Sequence, residues 1–244
     1  EAAAQLADLS LSADDGRFRA TGRLMPQPLL PAGSALAPLA APAIALDATA
    51  SRDGDWFDLK LAAGSDALAL EGGGRIDTTD NLLEGVQLAL TLRQPQTVSP
   101  ALSGQGIAAT LTADGPVADP DVRWRATATT IRFAAEGGPM GADGLVAEGR
   151  LLRATQARPM QLPFTARATR LVGLPPETAA LLQAPRLSGT LAFANGGLTA
   201  TGVQLQTTQL TASGSGALAA DGRATARVNA SVARILVPNL GPVT

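Results

Sequence analysis

Side chains that could carry out chemistry are scarce in this chain, because its 244 residues include no histidine and no cysteine. The routes that remain are paired carboxylates for acid–base catalysis, a serine or threonine nucleophile activated by a lysine, and arginine clamps for anions. Lys60 is the only lysine, so the second route has a single candidate base. Thiolate and imidazole ligands for a transition metal are missing from the sequence.

The acidic residues fall almost entirely in segments typical of turns, where an aspartate accepts hydrogen bonds from nearby backbone amides. The segment from Asp114 to Asp121 has the carboxylate density of a calcium loop, but Gly115-Pro116 and Asp119-Pro120 break the ligand spacing of an EF-hand. The turn aspartates are Asp14, Asp15, Asp53, Asp55, Asp77, Asp80, Asp114, Asp119, Asp121, Asp143 and Asp221. We therefore predict a protein that is not an enzyme and has no catalytic residues, no metal site and no cofactor.

Arginines alternate with apolar residues in two segments, and we expect them on the solvent-exposed face, where charged side chains keep the sheet soluble and prevent its edges from pairing with other strands. These arginines are Arg17, Arg19, Arg123 and Arg125. Trp124 lies between two of them, and we interpret it as a large filler among alanines rather than as a stacking platform for a ligand ring. The net charge of −2 and a charged fraction of 16% provide no basic surface, which argues against nucleic-acid binding.

The elements that must position these residues follow a two-residue period. Apolar and polar residues alternate in segments 57–61, 86–93, 107–113, 122–128, 187–193 and 224–232. Because successive strand side chains point to opposite faces, this pattern predicts an all-β protein whose antiparallel sheet has one apolar and one polar face. Turn signals predict hairpins at 14–16, 53–54, 77–81, 114–116, 136–138, 195–197 and 221–222. The strand order is then up and down, which excludes a doubly wound α/β sheet.

Two short segments depart from the strand pattern and predict one or two short helices. Residues 175–183 contain a proline and a glutamate suited to a first helical turn, and residues 96–103 place apolar side chains at helical spacing. The Pro/Ala-rich stretch 29–42 is the most linker-like region and the place for a break in an otherwise single domain, 1–244. Only 3% of the residues are aromatic, so small side chains line the apolar face and indicate a thinly filled interior.

Three stretches together resemble the TamB family, the inner-membrane subunit of the translocation and assembly module, and the AsmA-like proteins that share its architecture. Residues 111–122 resemble the strand, glycine, proline, strand unit that recurs in the family. Residues 187–198 resemble its repeated hairpins, and residues 235–242 resemble the connection into the next repeat. The resemblance implies an elongated curled antiparallel sheet, also described as a β-taco or β-groove, with an apolar concave face.

This resemblance also implies a function. It predicts an internal or C-terminal segment of a longer, inner-membrane-anchored protein that bridges the periplasm of a Gram-negative bacterium. The segment would carry phospholipid between the two membranes or chaperone outer-membrane protein assembly. Its partners would be phospholipid acyl chains or apolar client strands, together with an outer-membrane barrel protein. The alternative is a structural β-solenoid or adhesin-like stalk, in which the same apolar stripes pack into a closed core.

The candidate binding residues are the apolar side chains expected to face the groove. They are Leu88, Leu90, Leu92, Ile107, Leu111, Val122, Trp124, Ile131, Phe133, Phe164, Leu191, Phe193, Val203, Leu205, Val228 and Val232. Such a site requires no chemistry, because each buried methylene contributes about 0.8 kcal/mol without any polar partner.

Overall fold

A computed structural model of the chain describes residues 5–14, 16–25, 43–154, 159–194, 197–219, 223–232, 235–237 and 241–243. Over these residues the chain is all-β and antiparallel, as the two-residue period predicts. The predicted linker-like stretch 29–42 and the turn at 221–222 lie outside the described residues. None of the described helices has the length and hydropathy needed to cross a bilayer.

The structure contains eighteen strands over the described residues. The first nine are β1 (Gln5–Asp14), β2 (Arg17–Met25), β3 (Ile44–Asp53), β4 (Trp56–Gly64), β5 (Leu68–Asp77), β6 (Leu82–Leu92), β7 (Leu102–Gln105), β8 (Ile107–Pro116) and β9 (Asp121–Phe133). The other nine are β10 (Met140–Leu151), β11 (Met160–Arg167), β12 (Arg170–Val172), β13 (Arg186–Ala194), β14 (Gly197–Gln206), β15 (Leu210–Leu218), β16 (Ala224–Val232), β17 (Ile235–Val237) and β18 (Gly241–Val243).

Sixteen of these strands form one antiparallel sheet in which sequence neighbours are mostly spatial neighbours. The order is β1-β2-β3-β4-β5-β6-β8-β9-β10-β11-β13-β14-β15-β16, with β7 paired to β9, β12 paired to β10, and β17 and β18 forming a separate pair. This is the predicted up-and-down order. Over the described residues the sheet has two ends, β1 and β16, and does not close.

The chain divides into two compact units, Glu1–Ala126 (unit 1) and Thr127–Thr244 (unit 2). The boundary falls inside β9 rather than in the linker-like stretch 29–42. Continuous alternation through 122–128 gives no compositional break at this point, so local sequence contains no signal for the division.

One of the two predicted helices forms as expected. The helix α1 (Pro176–Leu181) lies within 175–183, with Glu177 in its first turn. The prediction for 96–103 is wrong in extent: a single 3₁₀ turn covers Pro95–Thr97, and Leu102 starts β7 instead. A second correction concerns the turn predicted at 114–116, which continues β8 up to Pro116.

Burial is shallow throughout the described residues. The apolar side chains that reach the buried class are mostly alanines, and no large side chain among the described residues is less than 2% exposed. The buried apolar residues are Ala67, Leu102, Ala113, Ala128, Ala142 and Ala168. The apolar face of the sheet is therefore half covered, in contrast with the densely packed interior of an ordinary sandwich.

Candidate functional site: an apolar groove in unit 1

The apolar face of unit 1 is built from residues that pair across the strands. One continuous row crosses seven strands through successive register pairs, and we call it row 1. Row 1 consists of Leu11, Ala20, Ala48, Leu61, Gly72, Leu88 and Leu111. Every member is apolar or glycine, which follows because a period of two keeps each register-matched set on one face of the sheet.

A second row lies two residues away along each strand. Row 2 consists of Ala13, Phe18, Ala50, Leu59 and Gly74. The pairing of β5 with β6 shifts register between Gly73 and Arg75, and the pairing of β6 with β8 shifts register between Leu83 and Val86. Gly74 therefore has no directly opposite partner in β6. Gly74 has φ of +151°, and a Cβ there would lie 2.5 Å from the Val86 Cα, so β5 and β6 approach closely at this point. The bulge thus brings Val86 to the end of row 2.

A groove of about 640 Å³ lies along these two rows. Its apolar lining residues are Leu11, Ala13, Phe18, Ala20, Ala48, Ala50, Leu59, Leu61, Ile76, Leu83, Val86 and Leu88. The lining comes from six consecutive strands, which extend over roughly 24 Å at the usual strand spacing. The two rows are about 7 Å apart along each strand, so the groove is long across the strands and narrow along them.

The opposite face of the same strands is polar and largely self-paired. Its central row contains Ser12, Arg19, Thr49, Lys60, Gly73 and Gln87. Arg19 Nη2 lies 2.6 Å from Asp47 Oδ2, and this hydrogen bond followed by charge attraction raises the pKa of the arginine. The predicted exposure of Arg17, Arg19, Arg123 and Arg125 is confirmed.

Arg75 organises a second cluster on this polar face. Its guanidinium lies 3.1 Å from carboxylate oxygens of both Asp58 and Glu84, 3.7 Å from Asp53, and 4.8 Å from the centre of the Trp56 ring. These partners are exposed, and exposed ion pairs contribute only about 0–1 kcal/mol each. The cluster is therefore a solvent-exposed network of ion pairs, and it keeps this face of the sheet hydrated.

A polar recess of about 410 Å³ lies between β1 and β4. It combines three cationic side chains with two carboxylates, and its charged residues are Asp14, Arg17, Arg19, Asp58 and Lys60. Two of these are already paired, Arg19 with Asp47 and Asp58 with Arg75. The mixture of signs gives no strong preference for an anionic or a cationic ligand.

Unit 2 has an apolar face of the same construction. Phe164 pairs with Gly189, and Val203 pairs with Gly214, which pairs in turn with Val228. A Cβ on Gly189 would lie 3.2 Å from Val203 Cγ2 and 3.3 Å from Phe164 Cε1, so the two large side chains flank the glycine. Val228 is 71% exposed, which shows that this face is open at the β16 end.

The candidate groove residues fall into separate groups. Leu88 lines the groove, and Leu111 continues row 1 beyond it. The structure places Leu90, Leu92, Ile107, Val122 and Trp124 elsewhere in unit 1, whereas Ile131, Phe133, Phe164, Leu191, Phe193, Val203, Leu205, Val228 and Val232 belong to unit 2. The predicted set is thus spread over two units, and only a small part of it meets in the groove.

Most of the groove lining was not among the candidates. Leu59 and Leu61 belong to an alternating stripe that the sequence shows clearly, so a signal for them existed. A signal existed for Leu11 and Phe18 as well, because Leu9 and Leu11 alternate with serines and Phe18 lies between Arg17 and Arg19.

Asp77 is engaged as turn chemistry predicts, whereas Asp114 and Asp121 have partners outside their own turn. Asp77 is buried and accepts hydrogen bonds from the Thr79 and Asp80 amides at 2.8 and 3.0 Å. Asp114 accepts from the Gly85 amide at 2.6 Å, and Asp121 pairs with Arg123. In the calcium-loop candidate, Asp114 thus contacts an amide of β6 and Asp121 an arginine of its own strand.

The prediction of Asp143 as a turn aspartate is wrong, because this residue lies inside β10. Asp143 in β10 accepts hydrogen bonds from the Arg132 guanidinium and from Arg170, whose Nη2 lies 2.7 Å away. Both hydrogen bonds lower the pKa of the Asp143 carboxyl below its ordinary value, and the bond from Arg132 has the larger effect. The cluster ties β9, β10 and β12 together within unit 2.

Comparison of this chain with protein-family models, with curated proteins and with solved structures finds no match.

Proposed function

We propose that the groove of unit 1 binds the acyl chain of a phospholipid, and that the protein is a non-enzymatic segment of a periplasmic lipid conduit. The observation that carries the proposal is the shape and lining of the groove: about 640 Å³, apolar, and crossing six strands. This volume lies within the range of about 300–1,000 Å³ that is usual for small-molecule sites.

The length of the groove also suits an acyl chain. A bilayer core is about 30 Å thick, so one chain reaches roughly 15 Å, which is less than the groove's length of about 24 Å. Sixteen methylenes, each half buried, would gain roughly 6 kcal/mol. Part of this gain offsets the freedom that the lipid loses on association, so the net affinity is weaker than the gain alone would give. Binding of that strength holds a lipid reversibly, as a conduit requires.

The alternative of a closed-core stalk receives less support from the burial pattern. A closed core would bury large apolar side chains, yet Leu11 and Phe18 in the groove are 73% and 49% exposed. Exposed apolar side chains that are gathered along one groove are typical of a binding site. The resemblance of the sequence to the TamB family supports phospholipid as the ligand and the periplasm as the compartment.

A photocrosslinking experiment on the purified chain tests this proposal. Vesicles of phosphatidylethanolamine and phosphatidylglycerol would contain a trace of phospholipid with a photoreactive acyl chain, and mass spectrometry would locate the adduct. We expect adducts on β1–β6 and their loss in Leu61→Arg. Ala62→Arg is the matched control, because Ala62 is the exposed neighbour on the polar face of β4.

Two results would contradict the proposal. The first is a parent protein that forms no lipid adduct under conditions in which it is folded. The second is an equal loss of adducts in Leu61→Arg and Ala62→Arg, which would show that added charge, rather than occupation of the groove, controls capture.

A further inference from the structure

The two end strands of the sheet differ in how well they can accept another strand. Among the described residues β16 pairs with β15 on one side only, so its other edge presents unpaired backbone amides and carbonyls. The register of this pair runs from Ala224 to Val232 without a bulge, and the strand contains neither proline nor lysine. The pairing of β1 with β2, at the other end, shifts register between Ala7 and Ser10, and a bulge of this kind hinders further pairing.

The two faces of β16 differ in polarity along the strand. Small apolar side chains lie on one face, and small polar side chains with one arginine lie on the other. The apolar residues are Ala226, Val228 and Ala230, and the polar residues are Thr225, Arg227, Asn229 and Ser231. All seven are exposed, and Val228 is among the most exposed apolar side chains of the described residues. β16 is therefore an open, amphipathic edge strand.

This polarity pattern is the same in both directions along the strand, and Val228 is its midpoint. A second copy of β16 can therefore lie antiparallel beside the first, related to it by a two-fold axis that passes between the two Val228 residues, perpendicular to the sheet. Ala226 then lies opposite Ala230 of the second copy, and the two Val228 side chains lie opposite each other. Because directly opposite residues share a face, apolar side chains meet apolar ones and the polar face stays polar.

Charge and length favour this register over its neighbours. Arg227 lies opposite Asn229 of the second copy, whose side-chain oxygen can accept a hydrogen bond from the guanidinium. An axis at Arg227 would instead place two guanidinium groups opposite each other, which is unfavourable. A shift that pairs odd with even positions would put apolar side chains beside polar ones. The register centred on Val228 is also the only symmetric one that uses all nine residues of the strand.

We infer that β16 is a dimerisation edge, to which a second copy of this chain adds its own β16 in the antiparallel register centred on Val228. The inference goes beyond the groove proposal and does not depend on it, since β16 belongs to unit 2. Pairing continues the apolar face of β16 into the second copy, so that each exposed Val228 gains an apolar neighbour. A contact one strand wide falls below the standard interface size of about 1,200 Å², so we expect the dimer to form reversibly.

Single cysteines test the register directly, because the chain has no cysteine of its own. In Val228→Cys the two Cβ atoms of the dimer lie about 4.5–5.5 Å apart, so a short bis-maleimide should join the two copies. In the matched control Ala226→Cys the two thiols are four residues apart along the strands, roughly 14 Å, which the same reagent cannot span. The double variant Ala226→Cys/Ala230→Cys should crosslink again, because each cysteine lies opposite its counterpart on the second copy.

Sedimentation velocity on the full chain provides a measurement without cysteines. We expect a dimer fraction that rises with protein concentration, and dimerisation about fivefold weaker in Asn229→Arg, where a like charge lies opposite Arg227. Ser213→Arg is the control, because Ser213 is exposed on the same face one strand farther from the edge and its replacement should leave the dimer unchanged.

Three results would overturn the inference. The first is a folded parent that stays monomeric at every concentration. The second is a crosslink in Ala226→Cys as efficient as that in Val228→Cys, which would indicate random collision or another register. The third is a dimer that Asn229→Arg and Ser213→Arg affect equally, with circular dichroism showing both variants folded, because the interface would then lie elsewhere.

Discussion

Replacement of Leu90 by arginine distinguishes an open apolar face from a closed core. Leu90 lies on the apolar face of β6, where it pairs with Leu70 on one side and Ala109 on the other. Its side chain is half buried rather than enclosed. An arginine at this position can lay its aliphatic stem on the same surface and extend its charged end to water.

The expected cost follows from this partial burial. Full burial of a leucine side chain is worth about 1.5–3 kcal/mol, so the loss of a half-buried one lowers the free energy of unfolding by about 1–2 kcal/mol. In a closed core the guanidinium would be dry and unpaired. Several kcal/mol would then be lost, enough to unfold a typical domain.

Urea unfolding followed by tryptophan fluorescence measures this cost directly. Both tryptophans, Trp56 and Trp124, belong to unit 1 together with Leu90, so the signal reports on the unit that is perturbed. Gln87→Arg is the control, since Gln87 is exposed on the polar face of the same strand and its replacement should change stability by no more than about 0.5 kcal/mol. A loss of more than about 4 kcal/mol in Leu90→Arg, with Gln87→Arg unaffected, would refute the open-face reasoning.

Two further predictions concern the scaffold. Gly74→Ala should lower the free energy of unfolding by about 3 kcal/mol, because its Cβ overlaps the Val86 backbone at a φ that favours glycine. The control is Gly54→Ala, which has a φ of +63° and no atom nearby and should lower the free energy of unfolding by about 1 kcal/mol. Equal losses for the two variants in urea unfolding would contradict the overlap at Gly74. Asp143 has a lowered pKa in the folded state, so its stabilising contribution is complete above the ordinary aspartate pKa of about 3.9 and disappears as the pH falls through the lowered value. Asp143→Asn should therefore be less stable than the parent at neutral pH, and its stability should approach that of the parent in acid. Circular dichroism is the suitable measurement, because unit 2 has no tryptophan. A difference in stability that does not depend on pH would exclude the charge of Asp143 as its cause.

Most strands, their up-and-down order and the polarity of their faces could be predicted from local sequence. Alternation in 57–61 and 187–193 assigns each residue to a face without reference to any partner strand, because the backbone pleat itself has a period of two. Hairpins at 53–54 and 136–138 follow from the preference of glycine for positive φ in tight turns. The helix α1 could also be predicted from local sequence, since the proline and glutamate at its start indicate where it begins.

Failures of prediction occurred where a neighbouring strand determines the outcome. Leu102 fits a helical pattern, but it extends as β7 because β9 offers backbone hydrogen bonds. Gly115 was expected in a turn, yet it pairs with Leu83 across β6 and β8. In both cases a tertiary partner outweighs a weak local preference.

The sequence by itself thus determined that this protein is an antiparallel β-structure with one apolar face and almost no side chains suited to catalysis. Only the tertiary structure decided which apolar residues meet. Leu11 and Leu61 lie on separate strands, and they line one groove because the registers of β1, β2, β3 and β4 align them in row 1. Register depends on turn lengths and bulges such as the one at Gly74, and these couple residues far apart in the chain.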